Sequence, residues 1–283
     1  MLSYRHAFHA GNFADVFKHA LLCLMLESLK EKDKPFCYLE THAGAGRYDL
    51  NSAPSQKTRE CEGGILRLWA RREVPPVLAP YLSAVIASNG QSAPAPLHYY
   101  PGSPRIARHL LREQDRMVLC ELHSSEHPVL KQEFAGDQQV SVHHQDGYAG
   151  LKAHLPPKER RGLVLIDPAF ELKDEGARAV QGLALAHQRW ATGIFALWYP
   201  VLDMAFRNRL LRQIEDLGIP KVLVAELSVD QVEGAGPMVG TGMVVINPPW
   251  HLEKQLREVL PWLHGVLSPQ GRGRWDAFWL ITE

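Results

Sequence analysis

A doubly wound α/β sheet with mostly parallel strands is predicted by three features of the sequence. Short apolar runs alternate with helical patterns along most of the chain. The run Pro35-Phe36-Cys37-Tyr38-Leu39-Glu40 leads straight into a glycine turn, Thr41-His42-Ala43-Gly44-Ala45-Gly46, where such sheets bind ligands. A later run, Gly162-Leu163-Val164-Leu165-Ile166, ends in Asp167-Pro168-Ala169-Phe170. A buried strand that ends in an acid, a proline and an aromatic ring can hold a planar nitrogen base.

The elements follow in order. Residues 13–31 form an amphipathic helix, with Asn12 as its N-cap and Val16, Phe17, Ala20, Leu21, Leu24, Met25 and Leu29 at helical spacing. Lys30-Glu31-Lys32-Asp33-Lys34 ends it in solvent. After the first strand and its glycine turn, the next clear strand is 117–121. The intervening stretch of roughly 70 residues is far longer than a simple crossover needs. Residues 48–98 are therefore read as an inserted small helical subdomain on the rim of the sheet. Its helical patterns lie at 62–72 and 77–87, and a Ser/Pro-rich exit lies at 91–96. Ser103-Pro104 reads as an N-cap and first helical residue of a helix through about 113. Further strands are expected at 140–143, 163–167, 193–199, 221–227 and 243–247, and helices near 124–135, 174–191, 203–217 and 252–266. One domain, 1–283, with the insertion inside it, accounts for the pattern.

Composition narrows the function. Lysines and arginines number 31, as do aspartates and glutamates, so no global charge argues for nonspecific nucleic-acid binding. Local basic clusters (Arg71-Arg72, Lys158 with Arg160-Arg161, Arg207 with Arg209 and Arg212, Arg272 with Arg274) read singly as solvated surface. The cysteines, Cys23, Cys37, Cys61 and Cys120, have no C-x-x-C spacing and read as reduced thiols. No signal-like or membrane-length apolar stretch occurs, so a cytoplasmic protein with no membrane partner is expected. His6, His9, His19 and His42 with Lys18 gather near the N-terminus and the glycine turn, where they are suited to a carboxylate or an RNA phosphate. They lack a ligand spacing such as His-Glu-x-x-His, so no metal is expected.

Four signals occur in a telling order. The glycine turn, including Gly44, follows strand one. A dinucleotide fingerprint would need a third glycine where Asp49 stands, so a nicotinamide dehydrogenase is disfavoured. Glu121 ends strand two, where an acid accepts from ribose hydroxyls. Asp146-Gly147 follows strand three and suits an adenine amino group and ring. Asp167-Pro168-Ala169-Phe170 follows strand four. The Asp167 carboxylate and the Pro168 carbonyl can both accept from one exocyclic amine, and Phe170 can stack on the base. This order describes a Rossmann-like S-adenosylmethionine-dependent methyltransferase acting on an amino nitrogen. A competing tetrad, Asn247-Pro248-Pro249-Trp250, follows the apolar run 243–246. It would suit guanine N2 or a protein glutamine.

Several strings have no generic structural explanation. They are Leu2-Ser3-Tyr4-Arg5-His6-Ala7-Phe8-His9-Ala10-Gly11-Asn12, Asp15, Lys18-His19, Thr41 through Tyr48, Tyr100-Pro101-Gly102-Ser103-Pro104, Ala196-Leu197-Trp198-Tyr199-Pro200 and Ile246 through Trp250. Together they resemble the bacterial 23S ribosomal RNA adenine-N6 methyltransferase J family, nearly end to end. The resemblance implies methyl transfer from S-adenosylmethionine to N6 of one adenosine in 23S rRNA, free or within an assembly intermediate; nothing in the sequence demands a dimer, so a monomer is expected. It implies donor binding by His19, His42, Ser103, Glu121, Asp146 and Gly147, and a catalytic Asp167. It implies contact with RNA by Tyr4, with His6 and Lys18 nearby. The family's usual tetrad is Asp-Pro-Pro-Tyr. Here Phe170 keeps the stacking face without the hydroxyl, and Ala169 makes the loop less rigid. A rival expectation from that departure is an RNA-binding factor that has lost its chemistry.

Overall fold

A computed structural model describes residues 4–90, 95–229 and 238–282. Eight strands form one sheet in the order β10-β8-β9-β7-β6-β1-β4-β5. They are β1 (Cys37–Glu40), β4 (Arg116–Glu121), β5 (Val140–His144), β6 (Gly162–Ile166), β7 (Ile194–Val201), β8 (Val222–Ser228), β9 (Gly240–Ile246) and β10 (Trp275–Ile281). The strands from β7 through β5 pair in parallel. β9 runs antiparallel to both β7 and β8, and β10 antiparallel to β8. The sheet is the mostly parallel one predicted, closed on one side by reversed strands.

Side-chain alternation explains why the strands read as continuous apolar runs. In β6, Leu163 and Leu165 enter one core and Val164 and Ile166 the other. Helices α1 (Phe13–Lys30), α5 (Ser103–Leu110) and α10 (Leu252–Leu267) cover the first face; α7 (Gly147–His154), α8 (Glu175–Arg189) and α9 (Met204–Glu215) cover the second. With both faces covered, such a strand has no solvent-facing side to alternate with, and it reads as continuously apolar. The remaining helix outside the insertion, α6 (Glu126–Glu133), links β4 to β5.

Residues 47–101 leave the main sheet. They begin and end in a two-stranded ladder of β2 (Arg47–Asp49) and β3 (Tyr99–Pro101). Between these lie α2 (Ala53–Thr58), α3 (Ile65–Trp69) and α4 (Ala79–Asn89). Buried Ile65, Leu68, Tyr81 and Val85 join the same core as α1.

The helix expected from 103 to 113 differs at both ends. Its N-cap is Gly102, because the Ser103 hydroxyl donates to Glu40 instead of capping. It stops at Leu110, since Leu111 is extended. The 62–72 pattern splits into a 3-10 turn at Glu60–Gly63 and the short α3. The strands expected through 167 and 247 stop one residue earlier, leaving Asp167 and Asn247 in loops. Helix α7 was unread because Gly147 and Gly150 look like turn residues; Asp146 caps it by accepting from the Ala149 N–H at 3.0 Å. Most of the predicted 91–96 exit, and Leu2 and Ser3, lie outside the described residues.

Candidate active site

The parallel strands end on one edge of the sheet, and a cleft of about 1930 Å³ opens there. Apart from the competing Asn247, every site residue singled out from the sequence lines it: Tyr4, His6, Lys18, His19, His42, Gly44, Ser103, Glu121, Asp146, Gly147, Asp167, Pro168 and Phe170. They come from segments up to 166 residues apart in sequence, and the shared strand direction brings them together.

One arm of the cleft is shaped by the glycine turn. Gly44 has φ +61°, and a Cβ there would meet the Tyr48 hydroxyl at 2.3 Å. Its N–H donates to Glu121 Oε2 at 2.7 Å, while the His123 N–H donates to Oε1 at 2.6 Å. Glu121 thus ties the β1 turn to the loop after β4. Burial pushes its carboxyl above the ordinary range. Gly147 packs on the end of β1, where a Cβ would lie 2.1 Å from the Thr41 carbonyl oxygen. Asp146 also meets Arg178 at 3.2 Å. His42 bonds Thr41 through Nδ1 at 2.8 Å and stands edge-on to Tyr148; burial holds its imidazole below the usual range.

Beneath this arm, Glu40 at the end of β1 is fully buried and receives hydrogen bonds from Ser103 and from Tyr38. Burial pushes its carboxyl up to about 8. His19 accepts or donates at Nδ1 with the Tyr100 hydroxyl at 2.7 Å. Its Nε2 is buried with no partner among the described residues. Burial holds this imidazole well below its ordinary value.

The other arm is a chain of polar contacts from the N-terminal segment to the tetrad. Lys18 Nζ donates to Asp167 Oδ2 at 2.7 Å and sits 3.1 Å from Asp15 Oδ1. Asp15 Oδ2 pairs with His6 Nε2 at 2.8 Å and accepts from the Gly11 N–H at 2.9 Å. Tyr4 bonds His6 Nδ1 through its hydroxyl at 2.8 Å. Burial alone would discharge both ions, but the pairing wins. Asp15 is held well below the usual carboxylate range by His6 and Lys18, and Lys18 is held above its own by Asp167 and Asp15. A buried charge is stable only when partnered in this way.

Phe170 closes the tetrad with φ +51°, an uncommon conformation for an aromatic residue. Its ring stands edge-on to Trp198 and Phe206, with centroids 5.9 and 5.8 Å away. Trp198 also underlies Lys18, whose Nζ lies 5.7 Å from the ring centroid. The Phe170 and Trp198 rings therefore line the cleft beside an anionic acceptor, chemistry suited to a planar base bearing an amine.

Asp15 and Trp198 were not singled out as site residues from the sequence. Asp15 reads as an ordinary acid in the first turn of α1; its position three residues before Lys18 is the available signal. Trp198 stands inside an apolar strand and reads as core.

Asn247 does not line the cleft. Because β9 is reversed, its end lies beside Ile194 and Phe195, at the start of β7, on the opposite edge of the sheet. The Asn247 side chain donates to the carbonyls of Ala191 and Gly193, each at 2.8 Å. It caps a turn far from the glycine loop. Among the described residues no group of three or more His, Cys, Asp or Glu is arranged to hold a metal ion.

The chain resembles known proteins over its whole length. A family model described as ribosomal RNA large subunit methyltransferase D, RlmJ, matches residues 33–281. The protein named ribosomal RNA large subunit methyltransferase J of Escherichia coli is 50% identical over 283 residues, all of both chains. Its Haemophilus influenzae counterpart of the same name is 48% identical, again over all of both chains. A Legionella pneumophila protein of known crystal structure superposes with a TM-score of 0.88 at 38% identity, over 95% of this chain and 98% of that one.

Proposed function

The chain belongs to the ribosomal RNA large subunit methyltransferase J family, and from that premise we propose that its cleft transfers a methyl group from S-adenosylmethionine to N6 of an adenosine in 23S rRNA. The observation that carries the reading is the Asp167–Lys18–Asp15 chain set against the Phe170 and Trp198 rings, at the same strand edge as the glycine turn.

The donor's place fits the residues present. Gly147, lacking a Cβ, lets the start of α7 close directly onto the Thr41 backbone at the end of β1, and His19 keeps a buried ring nitrogen with no partner among the described residues. His42, Gly44, Ser103, Glu121, Asp146 and Gly147 would hold the donor. When bound, it supplies a methyl carbon already electrophilic through its sulfonium, so no protein nucleophile is needed.

The acceptor is the harder problem, because the N6 lone pair is delocalised into the adenine ring. Asp167 and the Pro168 carbonyl would accept hydrogen bonds from the two N6 hydrogens and favour a more tetrahedral nitrogen. Lys18, kept as an ammonium by two carboxylates, occupies Oδ2 of Asp167 and leaves Oδ1 for the base. Asp167 would take the N6 proton as the new N–C bond replaces the donor's methyl–sulfur bond, whose electron pair stays on the sulfur of the departing thioether. Phe170 and Trp198 would pack against the ring. Holding both reactants in line supplies much of the remaining acceleration. The base must be unpaired or flipped out to enter. Tyr4 and His6, which line the cleft and are partly exposed, would meet the surrounding RNA.

The test is transfer of label from S-adenosylmethionine to protein-free 23S rRNA from cells lacking the enzyme, with nucleoside mass spectrometry of the product. N6-methyladenosine is expected. Asp167→Ala should lower turnover by about 10³-fold or more while leaving donor affinity nearly intact. Donor binding without transfer by the wild-type protein would instead favour a factor that keeps the pocket and has lost the chemistry.

A further inference from the structure

The polar chain that reaches Asp167 does not begin at Tyr4. It continues outward into the insertion. Tyr4 lies flat on His9, with ring centroids 5.5 Å apart and planes 10° apart. His9 Nδ1 bonds Glu60 Oε1 at 2.9 Å, and the Asn12 amide donates to Glu60 Oε2 at 3.0 Å. Glu60 opens the 3-10 turn between α2 and α3 and lines the cleft, yet it touches neither Asp167 nor Lys18. We propose that Glu60 and His9 are positioning residues for methyl transfer: through their bond the insertion fixes the N-terminal segment that carries Tyr4 and His6 against the catalytic carboxylate. This inference rests on the functional reading above.

The segment needs such an anchor. The 3-10 turn His6–Phe8 contains no fully buried residue, and Ala7 only partly packs on the core. What orients it is polar and comes mainly from two directions. From α1, Asp15 receives His6. From the insertion, the Thr58 hydroxyl donates to the Phe8 carbonyl, and Glu60 grips His9 and Asn12. Of these, only Glu60 reaches the ring on which Tyr4 rests. Both of its oxygens are used, on two residues three apart in sequence, which fixes a direction as well as a distance.

The charge state agrees with the geometry. His9 faces Glu60 and, farther off, Asp15; Glu60 faces His9, Asn12 and His6. The bond to Glu60 raises the His9 imidazole above its ordinary value. Burial would raise the Glu60 carboxyl, but the bonds from His9 and Asn12 outweigh it and hold it low. The pair is partly exposed, with side chains 37% and 32% accessible, so it adds little to global stability. Its value lies in orientation. Loosening it frees the segment without opening the core.

The experiment is steady-state methyl transfer to protein-free 23S rRNA at saturating donor, for wild type, Glu60→Ala, His9→Phe and the double variant. Donor affinity by calorimetry and thermal melting are read alongside. His9→Phe keeps a ring beneath Tyr4 and removes only the bond to Glu60. Each single variant should lose about 10- to 100-fold in kcat, the scale of a misplaced reacting group, with donor affinity and melting temperature near wild type. The double variant should be no slower than the slower single one, because both changes break one contact. Unchanged kcat in His9→Phe overturns the proposal. So does a double variant that falls by the product of the two single losses, or a kcat loss that merely follows loss of donor binding. Should Glu60→Ala fail to fold, His9→Phe carries the test with the insertion untouched. Absence of transfer by the wild-type protein would sink the functional reading itself, whereas wild-type transfer with unaffected variants sinks only this linkage.

Discussion

A Cβ on Gly147 would meet the Thr41 carbonyl oxygen at 2.1 Å, and backbone on both sides leaves little to give way. Thr41 is tied by its N–H to the Leu165 carbonyl and Gly147 opens α7, so the strain would pass into β1 or α7. Gly147→Ala is therefore expected to weaken donor binding by about tenfold or more and to cost about 1–3 kcal/mol of stability. Calorimetry with S-adenosylmethionine and urea unfolding read the two separately; unchanged donor affinity would remove Gly147 from the donor site. Residues of this kind were legible in the sequence because their chemistry is carried by type and place: an acid or a glycine just past a strand. Asp15 was not legible as a site residue. Its importance comes from standing between Lys18 and His6, and only the folded segment before α1 brings His6 back onto it.

Strands and helices were mostly legible, but strand direction was not. The apolar run of β9 carries the same pattern whichever way it points, and side-chain alternation is blind to polarity. The structure inserts β9 between β7 and β8 in reverse, and that alone decides where Asn247 lies. β10 escaped notice for another reason. It is a half-exposed edge strand, with Ala277 its buried position, so its apolar signal is diluted. The start of α5 was misplaced because the Ser103 hydroxyl serves Glu40, a partner 63 residues away that no local rule contains. These placements give Asn247→Ala a definite outcome. The side chain caps two carbonyls after α8 and its backbone has φ +52°, which asparagine tolerates better than alanine. The variant should lose about 1–2 kcal/mol in urea unfolding. Its kcat for methyl transfer should stay within about twofold of wild type. A large loss of turnover at unchanged stability would reinstate the Asn247 tetrad as a catalytic element.

Across the molecule, two apolar cores press on a sheet whose active edge contains buried ionisable groups, and their cost is borne by the fold as a whole. Asp15 and Lys18 offset theirs by pairing. Glu40 does not. It is fully buried between Tyr38 and Ser103, and burial pushes its carboxyl up to about 8 from the 4.5 of a solvated glutamate. The two hydroxyl bonds offset only part of that rise, and Asp167 adds to it. The sign follows from proton uptake. Below the solvated value both folded and unfolded chains keep the proton, so nothing is lost. Between the two values the unfolded chain releases it while the folded one retains it, and stability falls as pH rises. Above about 8 the folded protein carries the full penalty of a buried carboxylate. Glutamine copies the neutral acid: one oxygen accepts, one N–H donates, and nothing titrates. Glu40→Gln should thus melt close to wild type near pH 4.5 and progressively higher above it. The difference should reach about 3 °C or more by pH 8 and then level off. Calorimetric melts across that window test it. A difference that stays flat with pH would mean that Glu40 is ionised in the folded protein, with Ser103 and Tyr38 holding the charge.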